Sequence, residues 1–206
     1  GGLEALLATH PEQLQWLRGD VTSAEDLAEL GRRAAQLGPV HYLVPNAGIA
    51  ELADGLDMAA FDRQWAVNGA GALNTLAVMR NELAKPASVV FVGTFLIRST
   101  FPGLAAYIAS KAALAAQART LAVEFAPLDV RINMVSPGPT ATAIWGTLGL
   151  TDDQLEGVAD GVTKRLLPGH FLESAAVANV ILFQLSQGAR GVFGQDWVVD
   201  NGYTIS

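Results

Sequence analysis

A tyrosine and a lysine stand four residues apart in the alanine-rich stretch AAYIASKAAL, at Tyr107 and Lys111. Because residues with this spacing lie on the same face of a helix, the phenol and the ammonium are expected to be neighbours. A free tyrosine has a pKa of about 10, and a nearby cation lowers that pKa because it favours the phenolate. The pair is therefore a candidate proton donor or acceptor for chemistry at neutral pH. The alternative is a surface tyrosine that packs on a lysine stem.

Two further polar residues stand at positions where chemistry would use them. Asn68 interrupts an apolar stripe with the spacing of a core-facing helix surface, formed by Phe61, Trp65, Ala72, Leu76, Met79 and Leu83. Because a buried amide must find hydrogen-bond partners, Asn68 is a structural bridge between backbone groups, the site of a kink, or part of a functional site. Thr94 lies thirteen residues before Tyr107 and offers a hydroxyl at the end of a predicted strand.

Short apolar runs alternate with helical patterns along the chain. The predicted strands are Leu14–Arg18, Val40–Val44, Ser88–Val92, Val130–Val135 and Trp197–Val199. The predicted helices are Ala24–Leu37, Met58–Leu83 and Gly103–Phe125. Thr22 and Glu25 have the spacing of a capping box at the start of the first helix. Continuous apolar strands that alternate with helices predict a single-domain, doubly wound α/β fold with a parallel sheet.

Small and polar residues follow the predicted strands. The stretches are GDVT after the first run, PNAG after the second, GT after the third and SPGPTAT after the fourth. Ligands of such sheets bind outside the carboxyl ends of the strands. Each stretch alone is typical of an ordinary turn, but together they predict a cofactor crevice.

Composition argues against several classes of function. The chain has 206 residues, half of them apolar, which is enough to bury a substantial core. Its net charge of −7 argues against a nucleic-acid partner, because phosphate backbones are bound by an excess of lysine and arginine. The chain has no cysteine, no apolar run long enough to span a bilayer and only three scattered histidines. We therefore expect no disulfide, no membrane span and no metal site. We also expect the protein to be cytoplasmic.

Taken in order, these motifs resemble those of the short-chain dehydrogenase/reductase family over essentially the whole chain. They are Asp20 in GDVT, NAG at Asn46–Gly48, Asn68 in AVNGAG, YIASK at Tyr107–Lys111, NMVSPGPTAT at Asn133–Thr142 and GQDWVVDNGY at Gly194–Tyr203. The resemblance implies a Rossmann-like oxidoreductase that uses NAD or NADP and acts on a small-molecule alcohol or carbonyl substrate. It also implies a homodimer or homotetramer formed through the two long helices.

The resemblance implies a role for each motif residue. Tyr107 would be the general acid or base, Lys111 would bind the nicotinamide ribose and lower the tyrosine pKa, and Asn68 would hold a water in a proton relay. Thr94 occupies the position of a family serine that orients the substrate. The implied cofactor contacts are Asp20 and Val21 near the adenine, Asn46, Ala47 and Gly48 beneath the cofactor, and Pro137, Gly138 and Thr142 at the nicotinamide, together with Tyr107 and Lys111.

Residues 139–170 would form a lid over the substrate. Trp145, Leu148, Leu150 and Leu155 are apolar and flanked by glycines, which is typical of a closing segment. The alternative is an ordinary loop followed by an amphipathic helix.

The sequence departs from the family pattern at its front. No glycine-rich turn that would bind a pyrophosphate is recognisable, and residues 1–20 match the segment that leads into the family's third strand. A missing first βαβ unit would leave one edge of Val40–Val44 open, to be covered by Leu14–Arg18 or by a second chain. The coenzyme preference is therefore not readable. The alternatives to an enzyme are a non-catalytic binding or oligomerisation protein of the same fold and a fragment unable to bind cofactor.

Overall fold

A computed structural model describes residues 2–206 and shows one parallel four-stranded sheet of order β1-β2-β3-β4. The strands are β1 (Val40–Leu43), β2 (Leu83–Val92), β3 (Val130–Pro137) and β4 (Asp196–Val199). The helices are α1 (Gly2–Thr9), α2 (Ala24–Leu37), α3 (Met58–Trp65), α4 (Ala72–Met79), α5 (Ala105–Phe125), α6 (Asp152–Thr163) and α7 (Ser174–Leu185). The predicted α/β fold with a parallel sheet is therefore confirmed.

Helices cover both faces of the sheet, and alternate residues of the strands face opposite sides. Val89 and Phe91 of β2 pack in one core with residues of α4 and α5, including Leu114. Val90 faces the other side and packs with Val177 of α7. This two-sided burial explains why the central strands are continuous apolar runs. In the described part of the chain, no helix combines the length and apolarity needed to cross a membrane.

The run Leu14–Arg18 is not a strand, so the prediction that it pairs beside Val40–Val44 is wrong. Leu14, Trp16 and Leu17 are exposed, and β1 is an edge strand that, among the described residues, pairs only with β2. An extended run is a strand only when a neighbouring backbone accepts its hydrogen bonds, and here none does. The other expectation, that a second chain covers this edge, stays a prediction.

The long helix predicted over Met58–Leu83 is divided. α3 continues into a π-helix at Ala66–Gly71, α4 ends at Met79, and Leu83 already belongs to β2. A π-helix inside an α-helix is frequent at functional sites, and Asn68 lies within this one.

The predicted capping box of Thr22 and Glu25 is also wrong. Ser23 caps α2 instead and accepts a hydrogen bond from the Asp26 N–H (3.2 Å). Thr22 is not free to cap the helix, because its N–H and its hydroxyl both donate to Oδ1 of Asp20 (2.8 Å each).

Candidate active site

A cavity of about 640 Å³ lies at the carboxyl edge of the sheet. The predicted site residues that line it are Asn46, Gly48, Thr94, Tyr107, Lys111, Pro137, Gly138 and Thr142. The structure thus brings together the segments that follow β1, β2 and β3 with the tyrosine–lysine pair of α5. The close approach of the last segment depends on a glycine, since a Cβ on Gly138 would lie 2.5 Å from Cα of Asp200.

Tyr107 is buried in the wall of this cavity, within an apolar cluster that includes Phe95 and Leu104. Burial raises the pKa of its phenol, and a hydrogen bond with the Thr94 side chain lowers that pKa in part. Thr94 is itself buried at the end of β2, so its hydroxyl is fixed next to the phenol. The structure therefore places the Thr94 hydroxyl beside the Tyr107 phenol, and its contact with a substrate stays a prediction.

Lys111 lies one helical turn from Tyr107 and is only 4% exposed. Its Nζ donates a hydrogen bond to the carbonyl oxygen of Val92 (2.8 Å), which ties α5 to the end of β2. Burial lowers the pKa of Lys111 from its ordinary value to about 8. The expected lowering of the tyrosine pKa by this lysine is not found: burial dominates and disfavours both the phenolate and the ammonium.

Asn68 is fully buried and makes three hydrogen bonds to protein groups. Its Nδ2 donates to the carbonyl oxygen of Ile49 (2.9 Å) and to Oγ of Ser110 (3.1 Å), and its Oδ1 accepts from the Ile49 N–H (2.8 Å). Asn68 therefore acts as a structural bridge between backbone groups, which is one of the roles that its position in the sequence allowed. Since both N–H groups are used, the proposed relay water would have to donate to the remaining lone pair of Oδ1.

Gln64 is a positioning residue that the sequence analysis missed. It is fully buried, accepts from the Glu51 N–H (3.0 Å) and donates to the Glu51 carbonyl oxygen (3.3 Å). Gln64 and Asn68 are one helical turn apart. Gln64 hydrogen-bonds the backbone of Glu51, and Asn68 hydrogen-bonds the backbone of Ile49. The two amides fix the loop that follows β1. The signal was available, because Gln64 precedes Asn68 by four residues on the same helix face.

Gly48 lies in this fixed loop and meets the two polar residues behind it. A Cβ at Gly48 would lie 3.3 Å from Oδ1 of Asn68 and 3.5 Å from Nζ of Lys111. The backbone of the NAG motif therefore passes directly beside both side chains, and a larger residue would have to displace them.

Three predicted cofactor contacts do not line the cavity: Asp20, Val21 and Ala47. Hydrogen bonds from Thr22 hold the pKa of the exposed Asp20 carboxyl below its ordinary value. Val21 packs instead against the π-helix, where a Cβ on Gly71 would lie 2.6 Å from its Cγ2. Their contact with a cofactor stays a prediction.

Among residues 2–206 no group of side chains has the arrangement of a metal site.

The segment over the cavity is a 3₁₀ turn at Ala143–Leu148, which is held from two sides. The Thr147 hydroxyl accepts from the Ala50 N–H (3.1 Å), and the Ala50 carbonyl oxygen lies 2.7 Å from it as an acceptor. Nε1 of Trp145 donates to the carbonyl oxygen of Thr140 (2.8 Å). The turn is thereby connected across the cavity to the loop that Gln64 and Asn68 fix.

Known proteins of similar sequence are reductases and dehydrogenases. The family profile described as enoyl-(acyl carrier protein) reductase matches residues 2–204. Carbonyl reductase (NADPH) 2 of Sus scrofa is 32% identical over 180 residues, which are 85% of this chain and 72% of that protein. The 2,3-dihydro-2,3-dihydroxybenzoate dehydrogenase of Escherichia coli strain K12 is 32% identical over 195 residues, 90% of this chain and 79% of that protein.

Solved structures give the same result. The crystal structure of a short-chain dehydrogenase/reductase of Brucella melitensis, described as a glucose/ribitol dehydrogenase, is similar with a TM-score of 0.88 and 26% identity. The similarity covers 100% of this chain and 83% of that one. The chain belongs to the short-chain dehydrogenase/reductase family of oxidoreductase enzymes.

Proposed function

We propose that the chain interconverts a small-molecule alcohol and the corresponding carbonyl compound, with NAD or NADP as hydride acceptor or donor. The observation that carries this proposal is the burial of Tyr107 and Lys111, one turn apart, on the wall of a cavity that also presents the Thr94 hydroxyl. A phenol fixed in this way can exchange a proton with a substrate oxygen, and a neighbouring hydroxyl can orient that oxygen.

The residues at the cavity fit the nicotinamide half of such a cofactor. An ammonium carries three donors, and the carbonyl oxygen of Val92 is the one acceptor that Lys111 Nζ has among the described residues. The remaining donors suit the hydroxyls of a ribose. Asn46, Gly48, Pro137, Gly138 and Thr142 would surround the same half of the molecule. A glycine-rich turn for the pyrophosphate is not present among residues 2–206.

The nicotinamide supplies or accepts the hydride when it is bound. In the direction of reduction, Tyr107 donates its proton to the carbonyl oxygen as that oxygen gains negative charge, and Thr94 holds the same oxygen by a hydrogen bond. The raised pKa of Tyr107 keeps the phenol protonated at neutral pH, as this direction requires. In the direction of oxidation, the phenolate removes the proton from the alcohol.

A second candidate is a non-catalytic binding protein of the same fold. The observation in its favour is that residues 2–206 contain no glycine-rich turn of the kind that provides backbone donors for a pyrophosphate. Calorimetric titration with NADH and, separately, with NADPH distinguishes the two candidates. We expect micromolar binding of one coenzyme, about tenfold weaker in Gly48→Ala, because the added methyl group meets Asn68 and Lys111.

The matched control for this titration is Gly157→Ala, where a Cβ meets nothing within 4 Å. The coenzyme affinity of Gly157→Ala should equal that of the unsubstituted chain. A folded chain that binds neither coenzyme would contradict the proposed reaction for this chain, and it would favour the binding protein or a fragment unable to bind cofactor.

For residues 139–170 we propose the role of a lid that the Thr147–Ala50 hydrogen bonds hold closed. Thr147→Val removes both bonds and the contact of the hydroxyl with the Ile144 carbonyl oxygen (2.8 Å), and it should raise amide hydrogen exchange in Ala143–Leu148 by about fivefold, which corresponds to the loss of roughly 1 kcal/mol. The control is Thr9→Val, which removes a hydroxyl that bonds only locally in α1. Unchanged exchange in Thr147→Val would show that the bonds do not hold the turn.

The implied homodimer or homotetramer also belongs to the proposal. A surface groove between α4 and α5 is lined by Leu73, Leu76, Ala77, Arg80, Ala116, Gln117, Thr120, Leu121, Glu124 and Phe125. If a second copy covers this groove, Ala116→Arg should yield monomers in a light-scattering mass measurement, because the new side chain clashes and buries a charge. Ala8→Arg, on the exposed surface of α1, should keep the original mass. If Ala116→Arg has the same mass as Ala8→Arg, the interface between copies does not lie in this groove.

A further inference from the structure

The part of the cavity next to Tyr107, here called the substrate half, is almost entirely apolar. It is formed by Phe95, Leu96, Leu104, Ile144, Trp145 and Leu148, which line the cavity and belong to the same apolar cluster as Tyr107. These side chains come from the segment after β2, from the start of α5 and from the 3₁₀ turn over the cavity. A substrate that meets Tyr107 therefore lies against hydrocarbon on several sides.

The charged groups of the cavity are few. Among the described residues that line it, Lys111 is the only one with a charged side chain, and Tyr107 is the only other one that titrates. Lys111 is already bound to the carbonyl oxygen of Val92, and its remaining donors are those that would bind the ribose. A carboxylate, phosphate or sulfonate in the substrate half would therefore lose its water and gain no cation.

The neutral polar groups near the substrate half are largely used within the protein. Nε1 of Trp145 donates to the Thr140 carbonyl oxygen, and the Thr147 hydroxyl is bound to the backbone of Ala50. The hydroxyls of Tyr107 and Thr94 remain, and they lie next to each other. One oxygen atom of the substrate, at the reacting carbon, is therefore the group that this part of the cavity can hydrogen-bond.

We propose that the substrate is an uncharged and predominantly apolar ketone, aldehyde or alcohol with a single polar oxygen, and that the site discriminates against carboxylates. The inference rests on the proposed function. In reduction, a hydride forms the new C–H bond, the C=O double bond becomes a single bond, and the Tyr107 proton forms the O–H bond, while the dihydronicotinamide is oxidised. The benzoate in the name of the E. coli relative exemplifies the class that this cavity would exclude.

The test compares two ketones that differ only in a carboxylate, acetophenone and 4-acetylbenzoate. Each is assayed for turnover with NADH and with NADPH, and its binding to the full chain is measured by ligand-observed NMR. We expect kcat/KM and affinity to be at least about 100-fold higher for acetophenone, because an unpaired carboxylate is costly to bury. Equal or better binding of 4-acetylbenzoate would overturn the inference, whether or not either ketone is reduced.

The binding measurement separates this inference from the proposed function. Selective binding of acetophenone without turnover would contradict the proposed function and support the substrate class. Turnover of the carboxylate at the higher rate would support the function and overturn the substrate class. A folded chain that binds and reduces neither ketone would contradict both.

A charge-introducing variant tests the cause of the discrimination. Ile144 lines the cavity and is partly exposed, so Ile144→Arg can be accommodated without filling the core. It should improve the relative preference for 4-acetylbenzoate by about tenfold, because it supplies the missing cation. Ile144→Met is the neutral control and should retain the original preference. The same preference in all three proteins would show that charge in the cavity does not set the selectivity.

Discussion

Replacing Tyr107 with phenylalanine is expected to lower kcat/KM by about 10³-fold, the usual scale for loss of a general acid or base. The change removes one oxygen atom and keeps the ring, which packs in the apolar cluster with Phe95 and Leu104. Because no cavity is created, the free energy of unfolding should change by less than about 1 kcal/mol. Steady-state kinetics in both directions, with urea unfolding of the same preparations, measure the two quantities.

Tyr42→Phe is the matched control for this experiment. Tyr42 lies on β1 and is 57% exposed, so the same atom is removed from the surface, and turnover should stay unchanged. Coenzyme binding separates two interpretations of a loss of activity. Tyr107→Phe that binds coenzyme normally but turns over slowly has lost the proton donor. Activity retained by Tyr107→Phe would contradict the assignment of Tyr107 as acid or base.

The pH dependence of this activity follows from the raised pKa of Tyr107. A phenol whose pKa lies above its ordinary value of 10.0 is protonated throughout the neutral range. Reduction therefore starts from the correct protonation state, whereas oxidation needs the phenolate and should gain rate as the pH rises. The direction of this shift has a structural cause, namely the burial of the ring, which outweighs the hydrogen bond from Thr94.

Sequence patterns were sufficient to predict the four strands of the sheet and the residues that line the cavity because both depend on local signals. Continuous apolar runs identify β2 and β3, and the carboxyl ends of parallel strands always lie on one edge of the sheet. The residues that follow parallel strands, such as Gly48 after β1 and Thr94 after β2, therefore lie together for topological reasons. The four-residue spacing of Tyr107 and Lys111 fixes their relative position within α5 in the same way.

What the sequence did not predict depends on contacts between distant residues. Leu14–Arg18 is a short β-prone run, but strand formation requires a partner backbone that the local sequence does not specify. The role of Gln64 depends on the path of the loop at Glu51, thirteen residues away. The direction of the Tyr107 pKa shift depends on burial, which motif spacing does not measure. Pairing and desolvation are properties of the assembled fold.

The second large effect expected is a rise in the free energy of unfolding with pH that depends on Lys111. The pKa of this lysine is about 8 in the folded chain and has an ordinary value of 10.5. Between these values the unfolded chain binds more protons than the folded chain, so stability increases as the pH rises. From about pH 7.5 to about pH 9.5 the gain should be about 2 kcal/mol.

Lys111→Met should remove this gain, because methionine fills a similar volume and has no proton to release. Lys164→Met is the control, since Lys164 is exposed beyond the end of α6, and it should show the same rise as the original chain. Urea unfolding at the two pH values measures all three proteins. Equal rises in the original chain and in Lys111→Met would contradict the buried position of the ammonium.

Tyr107 sets the upper limit of this pH window. Its raised pKa means that the folded chain holds the phenol proton after the unfolded chain has lost it, so above about pH 10 its contribution to stability falls as the pH rises. The two residues therefore act in opposite directions, and below that limit the slope reports Lys111. Burial of the Lys111 ammonium lowers the stability of the folded chain at neutral pH. Among the described residues, the carbonyl oxygen of Val92 is the one acceptor of its three N–H donors. A ribose hydroxyl bound there would favour the ammonium and raise its pKa, so saturating coenzyme should move the stability rise to higher pH.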